Sequence, residues 1–300
     1  MRIGLVSLSP RLAAQDARLA EDLGFDMLAV GEHLFWDQPT PNGFVQLAVA
    51  AGATERIRLV SAITVLPLYP AALVAKMAAC LDQASSGRLE LGLGAGGEYP
   101  KEFAAAGISR ASRFSRLDEG VQIIRSLFAG ATTFRGEFAD LEDLTLNPMP
   151  VQPGGPPIWL AGRKPGALRR AGRFADVWLP YMVTAEMFGR GLASVRAAAV
   201  EHGRRAEDVA GAMFVSACAD RDAEWARRVG IEAVSATYGQ DFSAIADRYL
   251  ALGGVAAVTS RLLEYAEAGA SRMLIQVAAA DEHRERVIRT FAEDVLPALR

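Results

Sequence analysis

Three hundred residues, 51% hydrophobic and 22% charged, hold enough apolar side chains for a large core, and this composition excludes a disordered chain. A formal charge of -3 with no concentrated basic run excludes the electrostatic footprint of a nucleic-acid binder and leaves a small organic molecule as the expected partner. Cys80 and Cys218, the two cysteines, lie far apart and imply neither a disulfide framework nor a metal cluster.

The apolar run 3–8 is too short for a signal core, and the apolar region 59–79 is cut by Pro67, Pro70 and Lys76. No membrane helix is expected, and the expected location is the cytoplasm. Residues 3–8 read as a buried strand, 12–23 as a helix stopped by Gly24, and 27–30 as a second strand. A helix over 44–53 and a β-branched strand over 58–66 follow. Pro70 opens a helix that Gly87 ends after Ser86, and 89–94 is the fourth strand.

The rhythm then pauses. Residues 116–128 are an amphipathic helix, 132–146 a hairpin or irregular excursion, and 147–157 a proline-rich connector. It resumes with strands at 158–161, 176–179, 211–219 and 272–277, separated by helices at 166–174 and 186–201 and by two or three helices between 222 and 268, and closed by a helix over 285–299. Eight strand-helix units within one chain of 300 residues predict an α/β fold of the (β/α)8 TIM-barrel type, a single domain over 1–300 with insertions, notably after strand four. A doubly wound sheet with a second domain, linked at 147–157, is the alternative.

The glycines after strand four, Gly92, Gly94 and Gly97, spell a literal G-x-G-x-x-G. That pattern signals a dinucleotide only in a first βα turn leading into a helix, with an acid at the next strand end. Here three βα units precede it, Tyr99 and Pro100 follow it, and the acids some twenty residues on, Asp118 and Glu119, stand in a helix. In a barrel the same residues lie at the active face, where glycine lets a flat ligand approach the backbone, or simply makes a flexible loop.

Among three histidines, only His33 falls at a predicted carboxyl-terminal strand end, where an imidazole can exchange a proton with substrate. Glu32 either orients that imidazole or caps the next segment, and Trp36 is a substrate wall or core. After strand five, Gly162, Arg163, Lys164 and Gly166 open a helix with cations and free N–H groups, the requirements of a phosphate site; an ordinary capped helix with solvated cations is the alternative.

Several motifs taken together carry a likeness to one family. They are Gly31, Glu32 and His33; ATERIRL at 53–59 with SAITVLP at 61–67; LDQASSGR at 81–88; GLGAGGEYPKEF at 92–103; Arg113 with RLDE at 116–119; PMPVQ at 148–152; and PIWLAGR at 157–163 with DVW at 176–178. In order and spacing the chain resembles the bacterial luciferase-like family of flavin and coenzyme F420-dependent oxidoreductases. The resemblance implies a TIM barrel with a flavin-type ring in its mouth, close to Gly94 and Gly96, and a non-prolyl cis peptide behind the ring at Ala62 and Ile63. It implies a cofactor phosphate on Gly162, Arg163, Lys164 and Gly166, His33 as the active-site histidine, and a homodimer. Trp36 and Glu98 are the expected substrate-pocket residues.

The expected activity is F420-dependent hydride transfer to or from a small organic substrate. The alternatives are an FMN-dependent monooxygenase using reduced flavin and oxygen, and a catalytically silent flavin-binding barrel. Two departures from the family pattern bear on substrate. Glu32 stands where many deazaflavin members have Asp, and Gly97 stands where the family's sugar-phosphate dehydrogenases have a carboxylate, with Glu98 one residue off register. The latter argues against sugar-phosphate oxidation.

Overall fold

Alternation of β-rich and helical segments produces one closed parallel sheet. The computed structural model describes residues 1–7, 13–36 and 39–300. Its barrel strands are β1 (Arg2–Ser7), β2 (Met27–Val30), β3 (Arg58–Ser61, resuming at Thr64–Val65), β4 (Leu89–Gly94), β5 (Ile158–Ala161), β6 (Val177–Leu179), β7 (Ala210–Asp220) and β8 (Ala270–Val277). Each pairs in parallel with the next, and β8 returns to β1. This is a TIM barrel.

Both faces of its strands are covered, which is why they read as continuous apolar runs rather than alternating ones. All six residues of β4 are buried, glycines included. One core lies between the wall and the helices; a smaller one fills the lumen with Val6, Met27, Val60, Trp159, Leu179 and Leu274. The amino-terminal end of the lumen is plugged by Glu90, 1% exposed, which accepts from the Trp159 indole at 2.8 Å and pairs with Arg58.

Several of the family-bearing motifs are staples of this fold. Arg88 donates to the carbonyls of Ala51, Thr54 and Ile57 and to Thr54 Oγ1, closing the carboxyl end of helix Gly43–Ala53. Asp82 accepts from the backbone N–H groups of Val151 and Gln152 at 2.8 and 3.0 Å and from the Gln152 amide at 2.7 Å. That clamp ties the proline-rich connector to helix Ala71–Ala84.

The peptide Ala62–Ile63 is cis, as the resemblance implies, and interrupts the third strand; a second cis bond joins Asn147 to Pro148. The insertion after β4 holds a short helix, Pro100–Ala105, the helix Arg113–Phe128 and a two-stranded antiparallel hairpin. A short strand, Ala251–Gly254, unexpected from the sequence, pairs with the end of β7. Leu8 and Leu12, placed in the first strand and helix, lie outside the described residues.

Register brings Ser7, Val30 and Ser61 abreast at the carboxyl end, so the segments that leave these strands start together at the mouth. Among the described residues no helix is long and apolar enough to cross a membrane.

Candidate active site

The chain leaving β2 is held by two buried carboxylates with different tasks. Glu32, 6% exposed, accepts from Gly43 N at 2.9 Å, Val65 N at 3.1 Å and the Tyr69 hydroxyl at 3.2 Å. Of the two roles open to it, this is capping: it closes the start of helix Gly43–Ala53 and ties that turn to β3. Burial pushes its carboxyl above the ordinary carboxylate range, against the pull of those three hydrogen bonds. Its hydrogen bonds go to backbone and tyrosine, and none to the imidazole among the described residues.

The partner of His33 comes instead from helix Pro100–Ala105. Glu102, 1% exposed, sets Oε2 at 3.2 Å from His33 Nδ1 while Oε1 accepts from Leu34 N at 2.6 Å and Phe35 N at 3.3 Å. One carboxylate thereby orients both the ring and the backbone that carries it. A carboxylate only accepts, so Nδ1 is the protonated nitrogen, and Nε2 is left as the base of the neutral ring or the acid of the charged one. The Trp36 ring lies on the imidazole with centroids 4.2 Å apart and planes 30° apart, and Tyr99 adjoins Trp36 at 5.3 Å. Trp36 is therefore a half-exposed wall beside His33 rather than core.

The glycines of β4 have another explanation than ligand approach. A Cβ on Gly92 would lie 1.9 Å from the Ser61 carbonyl oxygen; on Gly94, 2.5 Å from Ile63 Cδ1; on Gly96, 2.5 Å from Val65 Cγ1. The space where each side chain would go is filled by the irregular end of β3, with Ser61 Oγ bridging Gly92 N and Gly92 O at 2.8 Å each. The protein's own packing is thus enough to require glycine at Gly94 and Gly96, whatever lies against their backbone. Ile63 sits directly against Gly94.

At the end of β5, helix Pro165–Phe174 begins with Lys164 as N-cap, with no side-chain capping bond and no acid in its first turn. Proline has no N–H, so the Gly166 N–H and the helix's positive end stay open to an anion. A Cβ on Gly162, whose φ is +126°, would come 2.7 Å from Ala167 Cβ, so glycine is what lets the loop enter the helix this closely. Arg163 and Lys164 are exposed, with no carboxylate within salt-bridge distance among the described residues. This donor set fits the phosphate of a flavin or deazaflavin.

Arg163 also lies over the Tyr181 ring at 5.3 Å and donates to the Met182 carbonyl at 2.6 Å. The Tyr181 hydroxyl donates to Glu98, reaching from the loop after β4 across to the segment after β6. Burial first, then that carboxylate, push the Tyr181 phenol above its ordinary value and keep it a donor. A small pocket opens beside it, lined by Phe214, Ser216, Tyr238 and Tyr249 among others. Glu98 thus reaches the mouth, joined to Arg163 through Tyr181.

Sequence reasoning missed Glu102 and Tyr181. Glu102 carried one signal, an acid two positions after the proline that opens a short helix, but its partner is 69 residues away. Tyr181, 83 residues from Glu98, carried none beyond its place after a strand.

Comparison with known proteins agrees with this geometry. The family model described as luciferase-like monooxygenase matches residues 7–294. The F420-dependent glucose-6-phosphate dehydrogenase of Amycolatopsis mediterranei is 26% identical, over 97% of this chain and 95% of its own. The oxygenase component of the flavin-dependent trigonelline monooxygenase of Acinetobacter baylyi is 32% identical, over 50% of this chain and 42% of that one. The crystal structure of monooxygenase RslO1 from Streptomyces bottropensis superposes with a TM-score of 0.85 at 28% identity, covering all of both chains. The chain spans about half the length of the first curated relatives it matches, at 37% identity. Relatives thus include both F420-dependent dehydrogenases and flavin monooxygenases, and the chain belongs to the luciferase-like monooxygenase family.

Proposed function

We propose that this chain binds the deazaflavin coenzyme F420 in its barrel mouth and acts as an oxidoreductase on a small organic substrate. The bound cofactor supplies a hydride acceptor or donor. Gly162, Arg163, Lys164 and Gly166 hold its phosphate. His33 moves the proton that accompanies hydride transfer at Nε2, with Nδ1 anchored by Glu102 and the ring braced on Trp36.

The observation that carries this reading is the His33–Glu102 pair. Oxidising an alcohol, or reducing a carbonyl, by hydride requires a proton partner in fixed orientation, and a buried carboxylate behind the imidazole provides it. FMN-dependent oxygenation is the second reading, supported by the full-length likeness to a monooxygenase. It would use the same phosphate site.

Arg163→Ala tests the shared part. Cofactor affinity should fall, by about tenfold if one charge-assisted contact is lost, and the wild-type affinity should weaken with salt. Unchanged affinity would remove the phosphate site from the proposal.

The same reading includes a homodimer, and two adjacent helices supply a surface for it. Val45 (64% exposed) and Val49 (44%) on helix Gly43–Ala53 and Leu73 (48%) on the neighbouring helix Ala71–Ala84 are exposed apolar side chains. Such side chains on two packed helices are a surface that a second copy of the chain would cover.

A further inference from the structure

The amino-terminal end of the barrel, opposite the mouth, holds more positive charge than its carboxylate can match. Arg2 on β1, Arg58 on β3 and Arg272 on β8 all reach Glu90 of β4. Register explains the meeting. Arg2 lies abreast of Arg272, and Arg58 abreast of Met27, itself abreast of Gly4, so all three stand at the starts of their strands and enter the lowest layer of the lumen. Glu90 is the one carboxylate within salt-bridge distance of any of them among the described residues.

The hydrogen bonds of Glu90 are already committed. Its Oε1 accepts from Arg58 Nε and its Oε2 from the Trp159 indole at 2.8 Å. Arg2 Nη1 stands at 3.9 Å and Arg272 Nε at 4.0 Å, beyond hydrogen-bond reach. Arg58 has a second acceptor in the Gln152 amide oxygen at 3.1 Å, whereas Arg272 finds Ser271 Oγ at 3.3 Å through Nη1 and nothing for its buried Nε. Elsewhere arginines of this fold meet their carboxylates directly, as Arg284 meets Asp16 at 2.6 Å and Arg286 meets Asp220 at 2.6 and 2.7 Å.

A buried N–H without a partner is costly, and like charges held together repel. Burial is the first cause that holds the Arg272 guanidinium below its ordinary value; Glu90 opposes it, and the charges of Arg2 and Arg58 add to it. The layer is open to water on one side, with the Arg2 side chain 54% exposed and that of Arg272 20% exposed. On the other side Trp159, fully buried, closes the lumen and carries Arg272 over its ring at 5.7 Å, so that what enters here is small.

From this imbalance we infer that Arg2 and Arg272 form a site for a small divalent oxyanion, phosphate or sulfate, at the amino-terminal opening of the barrel. Guanidinium groups present the paired donors from which such oxyanions accept. Three guanidinium groups against one carboxylate leave two positive charges, and a dianion cancels both. In a TIM barrel this end serves stability while chemistry occupies the other. The anion therefore braces the starts of β1 and β8 and takes no part in turnover, and the site is independent of the cofactor reading above.

The test is calorimetric titration of inorganic phosphate into the full chain carrying Arg163→Ala with Lys164→Ala, so that the cations of the mouth contribute nothing. Phosphate should bind at a single site, sulfate should displace it, and chloride at equal ionic strength should not. Adding Arg2→Gln should weaken phosphate by about tenfold, the loss of one charge-assisted contact, and leave the melting temperature in chloride unchanged, as befits an exposed side chain. Arg272→Gln, as a second variant, should weaken phosphate likewise. No saturable phosphate binding in that background, displacement by chloride as readily as by sulfate, or an affinity that neither Arg2→Gln nor Arg272→Gln alters, overturns the site.

Discussion

Glu102 Oε2 lies 3.2 Å from His33 Nδ1, and its other oxygen holds the backbone N–H of Leu34 at 2.6 Å. Imidazole and main chain are thus set by one buried carboxylate, which makes Glu102 a positioning residue. Glu102→Gln keeps the size and one acceptor but offers an N–H to the ring, which favours the wrong tautomer. We expect kcat to fall by about 10²–10⁴-fold, the usual worth of general acid–base catalysis, with cofactor affinity and melting temperature nearly unchanged. Steady-state kinetics across pH, with a thermal melt alongside, separate this from a structural role, in which the melt would move and kcat at saturation would not.

The glycines of β4 make an opposite kind of prediction, on stability rather than binding. Gly92→Ala forces a methyl against the Ser61 carbonyl, and Gly94→Ala against Ile63. Each should destabilise the cofactor-free protein by about 1–3 kcal/mol, as overpacking does. Gly166, where a Cβ meets nothing within 4 Å, should tolerate alanine within about 0.5 kcal/mol. Urea denaturation of the three variants checks the order. Weakened cofactor binding without lost stability in Gly94→Ala would restore the ligand-approach reading.

Glu32 gives a pH dependence of definite sign. Its carboxyl is raised above the model-compound value of 4.5, mainly by burial. A group raised on folding contributes stability that is fully present below the unfolded value and lost as pH rises through the folded one. Glu32→Gln does not titrate, so the stability of this variant relative to wild type should rise between acidic and neutral pH. Urea midpoints measured over that interval test it; a relative stability that falls with pH would mean that the three hydrogen bonds, not burial, dominate.

The apolar patch of Val45, Val49 and Leu73 predicts the assembly state. Wild type should run as a dimer in light scattering, and Val49→Glu with Leu73→Glu as a folded monomer, since a carboxylate buried in an interface core is strongly disfavoured. A wild type that stays monomeric at micromolar concentration would refute the dimer.

Much of the barrel was legible because covered parallel strands leave uninterrupted apolar runs and helices between them keep their period. The family was legible for a related reason. Arg88, Asp82 and Arg58, the last paired with Glu90, sit in its motifs as braces of the fold, and the fold demands them at fixed places. His33 could be singled out from its position at a strand end.

What closes the site could not be read the same way. Glu102 meets His33, and Tyr181 meets Glu98, only after the barrel has brought separate βα loops together. The packing role of Gly94 and Gly96 was not legible because the atoms that forbid a Cβ belong to the end of the third strand, and nothing in their own segment records how that strand ends. Ala251–Gly254 was overlooked as a strand because two glycines in four residues carry little β signal.

The most direct measurement is a spectral titration of the cofactor-free wild-type chain with F420 and with FMN under identical conditions, following the distinct absorbance of each ring. F420 should bind more tightly, and Arg163→Ala should weaken it. Tighter binding of FMN, with F420 left free, would contradict the deazaflavin assignment and favour the monooxygenase reading in its place.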